Sequence, residues 1–245
     1  MKLISLNTWG GRVTQDLMAF IESHKEVDIF CLQEIYHNRP NDLPVEEKMS
    51  QCAFNLNRDI AERLPHHINY FKPHIKDWWY GLAAFIKEDI EIVREGDIPI
   101  YDVPEYNGGG NHARNLQYIE FKKEGKNITV MNVHGLWNGK GKGDSEERLK
   151  QSDAILDFVK GLKTPYVLCG DFNLRPDTQS LKKFKEFGMR DLIEEYNITS
   201  TRTSLYGKEE GYADYAFISE GIEVRDFKVL PDEVSDHAAL YLDFD

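Results

Sequence analysis

The chain has 245 residues, 41% hydrophobic and 29% charged, a composition that excludes collagen-like, coiled-coil and intrinsically disordered proteins. Its 42 acidic residues outnumber its 30 basic residues, and the net charge of −12 gives little general attraction to the phosphate backbone of duplex DNA. The longest apolar stretch, 80–86, is far shorter than the roughly twenty residues that a membrane span needs.

Strands and helices alternate in the first part of the chain. Strands are predicted over 2–8 and 28–34, and the second is apolar almost throughout, as in a strand buried on both faces. Helical spacing of apolar residues begins at Thr14, and again near Leu56 until Pro65 ends the pattern. Further strands are predicted over 67–73, 80–87, 90–95, 115–122 and 127–134. A turn that contains glycine joins the last two as a hairpin.

The second part of the chain combines helices with a closing set of strands. Asp144 and Glu147 predict a capping box that opens a helix. The segments that follow are a buried strand over 166–171, a short helix over 178–187 capped by Gly188, and strands over 212–218, 222–229 and 238–244. Hairpins beside helical connections indicate an α/β (α+β) fold with mixed sheets. No repeat or linker divides the sequence, so we predict a single domain over residues 1–245.

The cysteines and the first residues bear on location. Cys31, Cys52 and Cys169 do not have metal-ligand spacing, and their odd number argues against a disulfide framework. The first apolar segment is too short for a signal peptide. We therefore expect a cytoplasmic monomer that does not engage a membrane.

Polar residues gather where the predicted strands end. A single strand-end carboxylate is usually a turn or cap residue, but Asp214 lies inside a strand pattern, where an unpaired carboxylate is costly. The other such residues are Asn7, Glu34, His134, Asp171, Asn173, Asp236 and His237. Their oxygen ligands suit Mg²⁺ or Mn²⁺, and imidazoles beside carboxylates suit proton transfer. The set predicts one catalytic site.

Six segments, in order along nearly the whole chain, give a resemblance to a known family. They are SLNTWG (5–10), CLQEI (31–35), NVHG (132–135), GDFNL (170–174), ADYAFIS (213–219) and SDHAAL (235–240). The chain resembles the endonuclease/exonuclease/phosphatase superfamily, which includes deoxyribonuclease I and exonuclease III. The resemblance implies a four-layer sandwich, in which two packed mixed β-sheets are flanked by helices, with a metal site at one end.

The resemblance also implies roles for individual residues. Glu34 would be the principal Mg²⁺ (or Mn²⁺) ligand, with Asn7 and Asp236 close by. Asp171 and Asn173 would hold the attacking water and a phosphate oxygen.

The histidines and an arginine would complete the catalytic set. His237 would contact the phosphate or act as general base, oriented by Asp214. His134 would be a proton donor or phosphate ligand, and Arg114 would bind phosphate. From the residues alone, His134 could also be a hydrogen-bonded core histidine, and Arg114 a surface salt-bridge partner.

A loop after His134 is particular to this chain. It alternates glycine with Lys140 and Lys142, and we predict that these lysines bind substrate, although a solvated surface loop is the commoner outcome for such a sequence. Arg148 and Gln151 are predicted to anchor the loop. The polar segment 201–206 could line a substrate groove or cap a sheet, and the Trp78–Trp79 pair is predicted to be core or groove wall.

These observations predict a Mg²⁺-dependent hydrolase of phosphate esters, with phosphodiesters ahead of phosphomonoesters. The superfamily shares one catalytic core across many substrates, so the substrate class stays open and includes nucleic acids and nucleotides. A DNA or RNA endo- or exonuclease of the same fold is one alternative. A catalytically silent binding module is a second, and the complete set of acid, amide and histidine residues argues against it.

Overall fold

The computed structural model describes residues 1–40, 43, 45, 47–103 and 110–245. The strands of these ranges are Lys2–Asn7 (β1), Ile29–Tyr36 (β2), His67–Pro73 (β3), Tyr80–Lys87 (β4), Glu91–Tyr101 (β5), Arg114–Lys123 (β6), Lys126–His134 (β7), Tyr166–Asp171 (β8), Arg190–Asp191 (β9), Asp214–Ile218 (β10), Val224–Val229 (β11) and Leu240–Phe244 (β12). The helices are Thr14–Ser23 (α1), Leu56–Arg63 (α2), Glu146–Lys160 (α3), Gln179–Glu186 (α4) and Leu192–Glu195 (α5), with short 3₁₀ turns at Trp9–Gly11 and Glu47–Met49.

Within the described ranges the strands form two six-stranded sheets. The first has the order β11-β12-β1-β2-β4-β3, and the second has the order β5-β6-β7-β8-β10-β9. β1 is parallel to β2 and β7 is parallel to β8, whereas the other neighbours are antiparallel. The prediction of mixed sheets is confirmed.

Apolar side chains fill the space between the sheets and beneath the helices. Cys31 of the first sheet and Leu168 of the second belong to one buried cluster, which Ile155 of α3 extends on the far side of the second sheet. Leu17 of α1 and Ile60 of α2 bury the outer face of the first sheet. This confirms the predicted four-layer sandwich. Among the described helices, none has both the length and the apolar character that a membrane crossing requires.

A polar bridge crosses the otherwise apolar interface between the sheets. Gln33 Nε2 of β2 donates to Asn132 Oδ1 of β7 at 2.7 Å, and Asn132 Nδ2 donates to the oxygens of Leu32 and Gln117, both at 3.1 Å. Buried amides are costly unless they are bonded, so the bridge favours one register of β2 against β7. Gln33 precedes Glu34, and the bridge therefore lies beside the predicted site.

The predicted capping box is wrong by one residue. Ser145, not Asp144, caps α3, because its Oγ accepts from the backbone N–H of Arg148 at 3.3 Å. Asp144 instead caps α4 from a distant part of the chain, accepting from the N–H groups of Gln179 at 2.7 Å and Ser180 at 2.9 Å. Any acceptor that is near in space satisfies the free N–H groups of a helix start, and sequence spacing does not reveal such a partner.

Candidate active site

Most of the predicted site residues converge on one cleft at an end of the two sheets, with a volume of about 750 Å³, and Lys140 lies outside it. His134 ends β7, Asp171 ends β8 and Asp214 begins β10, and Asp171 is the register partner of both. Asn7 ends β1 of the other sheet, and Asp236 and His237 precede β12. Glu34 does not lie at a strand end, since β2 continues to Tyr36. The volume is that of a typical small-molecule site.

Asp171 occupies the centre of the cleft. Its Oδ1 accepts from the backbone N–H of Asn173 at 2.8 Å, and its Oδ2 accepts from Asn7 Nδ2 at 2.9 Å. The same Oδ2 is 3.7 Å from His134 Nε2 and 3.6 Å from His237 Nε2. Asn173 Nδ2 donates to the carbonyl of Gly135 at 3.2 Å, which ties it to the end of β7. The carboxylate therefore lies between two imidazoles.

His237 and Asp214 form a buried pair. His237 Nδ1 is 2.9 Å from both carboxylate oxygens of Asp214, so this nitrogen donates and Nε2 is left as the proton acceptor. Burial lowers the pKa of His237 to about 4, and the imidazole is neutral at pH 7. Burial also raises the pKa of Asp214, against the opposing effect of Arg202 and Lys142. A neutral imidazole oriented in this way is equipped to accept a proton.

Glu34 reaches the cleft because the backbone of β2 is irregular at this position. The register of β2 against β4 shifts between Leu32 and Ile35, and Glu34 adopts a φ of 59°, in the left-handed region. Such strained positions in strands cluster near functional sites. Asn7 Nδ2 donates to Glu34 Oε1 at 3.2 Å, while Asn7 Oδ1 accepts from the backbone N–H of Trp9 at 2.9 Å. The amide nitrogen of Asn7 therefore bridges the carboxylates of Glu34 and Asp171.

The carboxylates of this region fit a divalent cation. Burial, together with the charges of Asp236 and Asp171, raises the pKa of Glu34 to about 7. Asp236 Oδ1 is buried without a hydrogen-bond partner among the described residues. One ligand atom from each of Asp171, Asp214 and His237 also lies within 4.8 Å of the others. Hard oxygen donors that are crowded and incompletely paired are suited to Mg²⁺ or Mn²⁺.

The raised pKa of Glu34 predicts how the stability of the metal-free protein depends on pH. The folded state holds this proton more tightly than the unfolded state, whose glutamate has the ordinary pKa of 4.5, so stability falls as pH rises from 4.5 to about 7. In excess chelator, we expect the Glu34→Gln variant to gain free energy of unfolding relative to wild type as pH rises through this window. Urea unfolding of both proteins at several pH values measures the difference, and parallel profiles would contradict it.

Arg114 and His134 form the side of the cleft towards β6. The Arg114 side chain is buried, its Nη1 is 3.5 Å from His134 Nδ1 and its Nη2 donates to the carbonyl of Gly110 at 3.1 Å. Burial and the charge of Arg114 hold the pKa of His134 well below its usual value, so this imidazole is neutral. Because arginine can only donate, the contact with Arg114 assigns Nδ1 as the acceptor and the proton to Nε2. Arg114 Nε has no hydrogen-bond partner among the described residues. The structure thus places Arg114 in the cleft interior, not on the surface.

Arg202 was not predicted as a site residue. Its Nη1 lies 3.1 Å from Asp236 Oδ2, its guanidinium is 4.1 Å from the ring centroid of Tyr206, and its side chain is only 6% exposed. The only sequence signal was its position in the polar segment 201–206, ahead of the Asp214 strand. The structure therefore brings a second buried arginine to the carboxylates.

Lys140 and Lys142, the two lysines of the glycine-rich loop after His134, lie in different places. Lys142 lines the cleft with its side chain buried, its Nζ donates to the carbonyl of Tyr212 at 2.8 Å, and burial lowers its pKa to about 8. Lys140 is exposed and does not line the cleft. Both predicted anchors hold the loop: Arg148 Nε donates to the carbonyl of Leu136 at 3.2 Å, and Gln151 Oε1 accepts from its N–H at 2.9 Å.

Aromatic side chains form the walls of the cleft. Trp78 and Trp79 line it, so the pair is groove wall and not core. Trp79 stacks on Tyr36 with ring centroids 5.6 Å apart, and Trp9 and Trp137 also line the cleft.

Comparison with known proteins agrees with this fold. The model of the endonuclease/exonuclease/phosphatase family matches residues 4–237. A search of curated proteins gives no match. The fold is similar to that of a mannosyl-6-phosphatase from Bacteroides thetaiotaomicron, with a TM-score of 0.76 and 21% identity, over 100% of this chain and 99% of that one.

Two further solved structures share the fold. The catalytic domain of human Nocturnin matches with a TM-score of 0.69 and 19% identity, over 100% of this chain and 93% of that one. A humanized TDP2 of D. rerio matches with a TM-score of 0.68 and 16% identity, over 100% of this chain and 98% of that one. Since the family model spans nearly the whole sequence, from β1 to His237, the chain belongs to the endonuclease/exonuclease/phosphatase family.

Proposed function

We propose that this protein is a Mg²⁺- or Mn²⁺-dependent hydrolase of phosphate esters. The observation that carries the proposal is the position of the Asp171 carboxylate between the neutral imidazoles of His134 and His237. Glu34 and Asp236 would hold the cation, which supplies charge neutralisation at the phosphoryl oxygens when bound. We assign Asn7 to orienting Glu34 and Asp171, because its amide oxygen is engaged by Trp9.

The attacking water is activated by the pair on one side of Asp171. His237 Nε2 accepts a proton from water, and Asp214 stabilises the resulting imidazolium through the 2.9 Å contact with Nδ1. Asp171 and Asn173 hold the water in line with the phosphorus. The distance of 3.6 Å between Asp171 Oδ2 and His237 Nε2 supports this role, because a water bonded to Asp171 would lie within reach of the base.

His134 interacts with the leaving oxygen on the other side of Asp171. His134 carries its proton on Nε2, 3.9 Å from Glu34 Oε1, and as a neutral imidazole it donates a hydrogen bond that stabilises the charge on the leaving oxygen, which takes its proton from solvent. Arg114 and Arg202 each have a buried, unpaired Nε among the described residues, and we assign both to the phosphoryl oxygens. Lys142 contributes positive charge beside Asp171 and Asp214.

Phosphodiesters stand ahead of phosphomonoesters in this proposal, in agreement with the expectation from the sequence. The mannosyl-6-phosphatase with the same fold makes monoesters the second candidate. A nuclease acting on duplex DNA is less well supported, since the chain has a net charge of −12. A silent binding module would have no need of two histidines on one carboxylate.

Removal of divalent cations is expected to abolish hydrolysis. The test is a screen of diesters and monoesters, including bis-p-nitrophenyl phosphate and glycerol phosphate, with Mg²⁺, with Mn²⁺ and in excess chelator. Activity should vanish in chelator and return when the cation is restored, because the crowded carboxylates otherwise repel the anionic substrate. Full turnover in chelator would refute metal dependence, and the absence of hydrolysis under every condition would refute the proposed function.

A further inference from the structure

The tryptophans of this protein are distributed in an unusual way. The sequence has four, and none of them belongs to the buried apolar core. All four (Trp9, Trp78, Trp79 and Trp137) line the cleft and are partly exposed. Tryptophan is normally a large contributor to packing, so its confinement to one partly exposed surface indicates a binding role.

A cation lies over three of these indoles. Arg12 is 5.0 Å from the ring centroid of Trp9, Arg39 is 5.1 Å from that of Trp79, and Lys208 is 5.6 Å from that of Trp137. Each of these cations also lines the cleft. The walls of the cleft therefore combine flat aromatic faces with positive charges, in a protein that is strongly acidic as a whole.

The walls offer few hydrogen-bond acceptors to the hydroxyl groups of a sugar. Among the described lining residues, carboxylates and amides occur only at the catalytic centre, as Glu34, Asp171, Asn173 and Asp236. Sugar hydroxyls donate as well as accept hydrogen bonds, whereas lysine and arginine can only donate. A ring with a π-face and additional negative charge would use both properties of the walls, as in sites that combine aromatic stacking with cations.

Resting on the proposed function, we infer that the substrate is a phosphate ester that carries a nucleobase and a further phosphate. The base stacks on the tryptophan walls, and the second phosphate meets Arg12 or Lys208. The volume of about 750 Å³ suits a nucleotide-sized ligand and not an extended duplex.

Quenching of tryptophan fluorescence by bound ligands tests this inference in the absence of hydrolysis. Because every tryptophan lines the cleft, quenching reports its occupancy, and excess chelator prevents hydrolysis. We expect adenosine 3′,5′-bisphosphate to bind at least about tenfold more tightly than mannose 6-phosphate, and glycerol phosphate to bind weakest. Equal or tighter binding of mannose 6-phosphate would overturn the inference. If all esters are hydrolysed with Mg²⁺ but the bisphosphate does not bind more tightly than mannose 6-phosphate, the inference fails and the proposed function stands. If the bisphosphate binds more tightly but no ester is hydrolysed, the proposed function is refuted and the nucleotide-binding site is supported.

Substitutions of residues in the cleft walls test whether these walls cause the tighter binding of the bisphosphate. Trp79→Leu should weaken binding of the bisphosphate by about 5- to 150-fold and weaken binding of glycerol phosphate much less. Lys208→Ala should weaken the bisphosphate more than adenosine 5′-monophosphate. The matched controls, Tyr196→Leu and Lys182→Ala, change an exposed aromatic residue and an exposed lysine that do not line the cleft. Trp137→Leu provides a second test if Trp79→Leu misfolds, and wild-type binding in both tryptophan variants would overturn the assignment.

Discussion

Asp214→Asn is expected to lower kcat by about 10³- to 10⁴-fold while KM stays within a few-fold of wild type. The asparagine has the same shape, but its amide can present NH₂ to His237 Nδ1, which would move the imidazole proton to Nε2 and remove the base. It also removes the negative charge that stabilises the imidazolium. Steady-state kinetics on a diester with saturating Mg²⁺ measures the effect.

Asp177→Asn is the matched control for this variant. Asp177 pairs with Arg175 on the surface at 3.1 Å and does not line the cleft, so its loss should leave kcat unchanged. Thermal unfolding should be close to wild type for both variants, because burial already disfavours the charged form of Asp214. An Asp214→Asn protein with wild-type kcat would show that this carboxylate is only structural.

Glu34→Gln is expected to weaken Mg²⁺ or Mn²⁺ binding and to lower kcat/KM at fixed metal by at least about 100-fold. Replacing residues that merely support metal ligands often costs 10- to 100-fold, and removal of a charged ligand should exceed this. Calorimetric titration with Mn²⁺ gives the affinity independently of activity, and raising the metal concentration should restore part of the rate.

Glu88→Gln controls for the general loss of one negative charge. Glu88 is exposed and pairs with His66 at 2.9 Å, away from the cleft. Its variant should bind Mn²⁺ as wild type does. Wild-type affinity in Glu34→Gln as well would exclude Glu34 as a ligand and move the cation towards the Asp171, Asp214 and His237 group.

The fold was predictable because hydrophobic pattern and strand ends are local properties of the sequence. His134 and Asp171 follow apolar runs, and parallel neighbouring strands bring such ends to one edge, as the pairing of β7 with β8 does. Asp214 stood out because a carboxylate inside a strand pattern needs a partner, which His237 provides. In the sequence alone, the family segments already group these positions.

What could not be predicted depends on contacts between distant parts of the chain. Asp144 caps a helix that begins 35 residues later, and sequence spacing favoured the nearer helix. Glu34 enters the cleft through a register shift in β2, which hydrophobic periodicity does not encode. Arg202 belongs to a polar segment without regular pattern, so its pairing with Asp236 depends on the tertiary fold. Lys140 and Lys142 are equivalent in sequence, yet only Lys142 lies in the cleft.

The polar bridge between Gln33 and Asn132 joins strands that contribute to opposite sides of the proposed active site. Glu34 comes from one sheet and His134 from the other, so their separation is set by how the two sheets dock. A misplacement of about 1 Å can cost a factor of about 100 in rate. We therefore expect kcat to depend on how the two sheets pack: a core substitution such as Leu168→Ala, remote from the proposed reacting groups, should lower kcat as well as the free energy of unfolding.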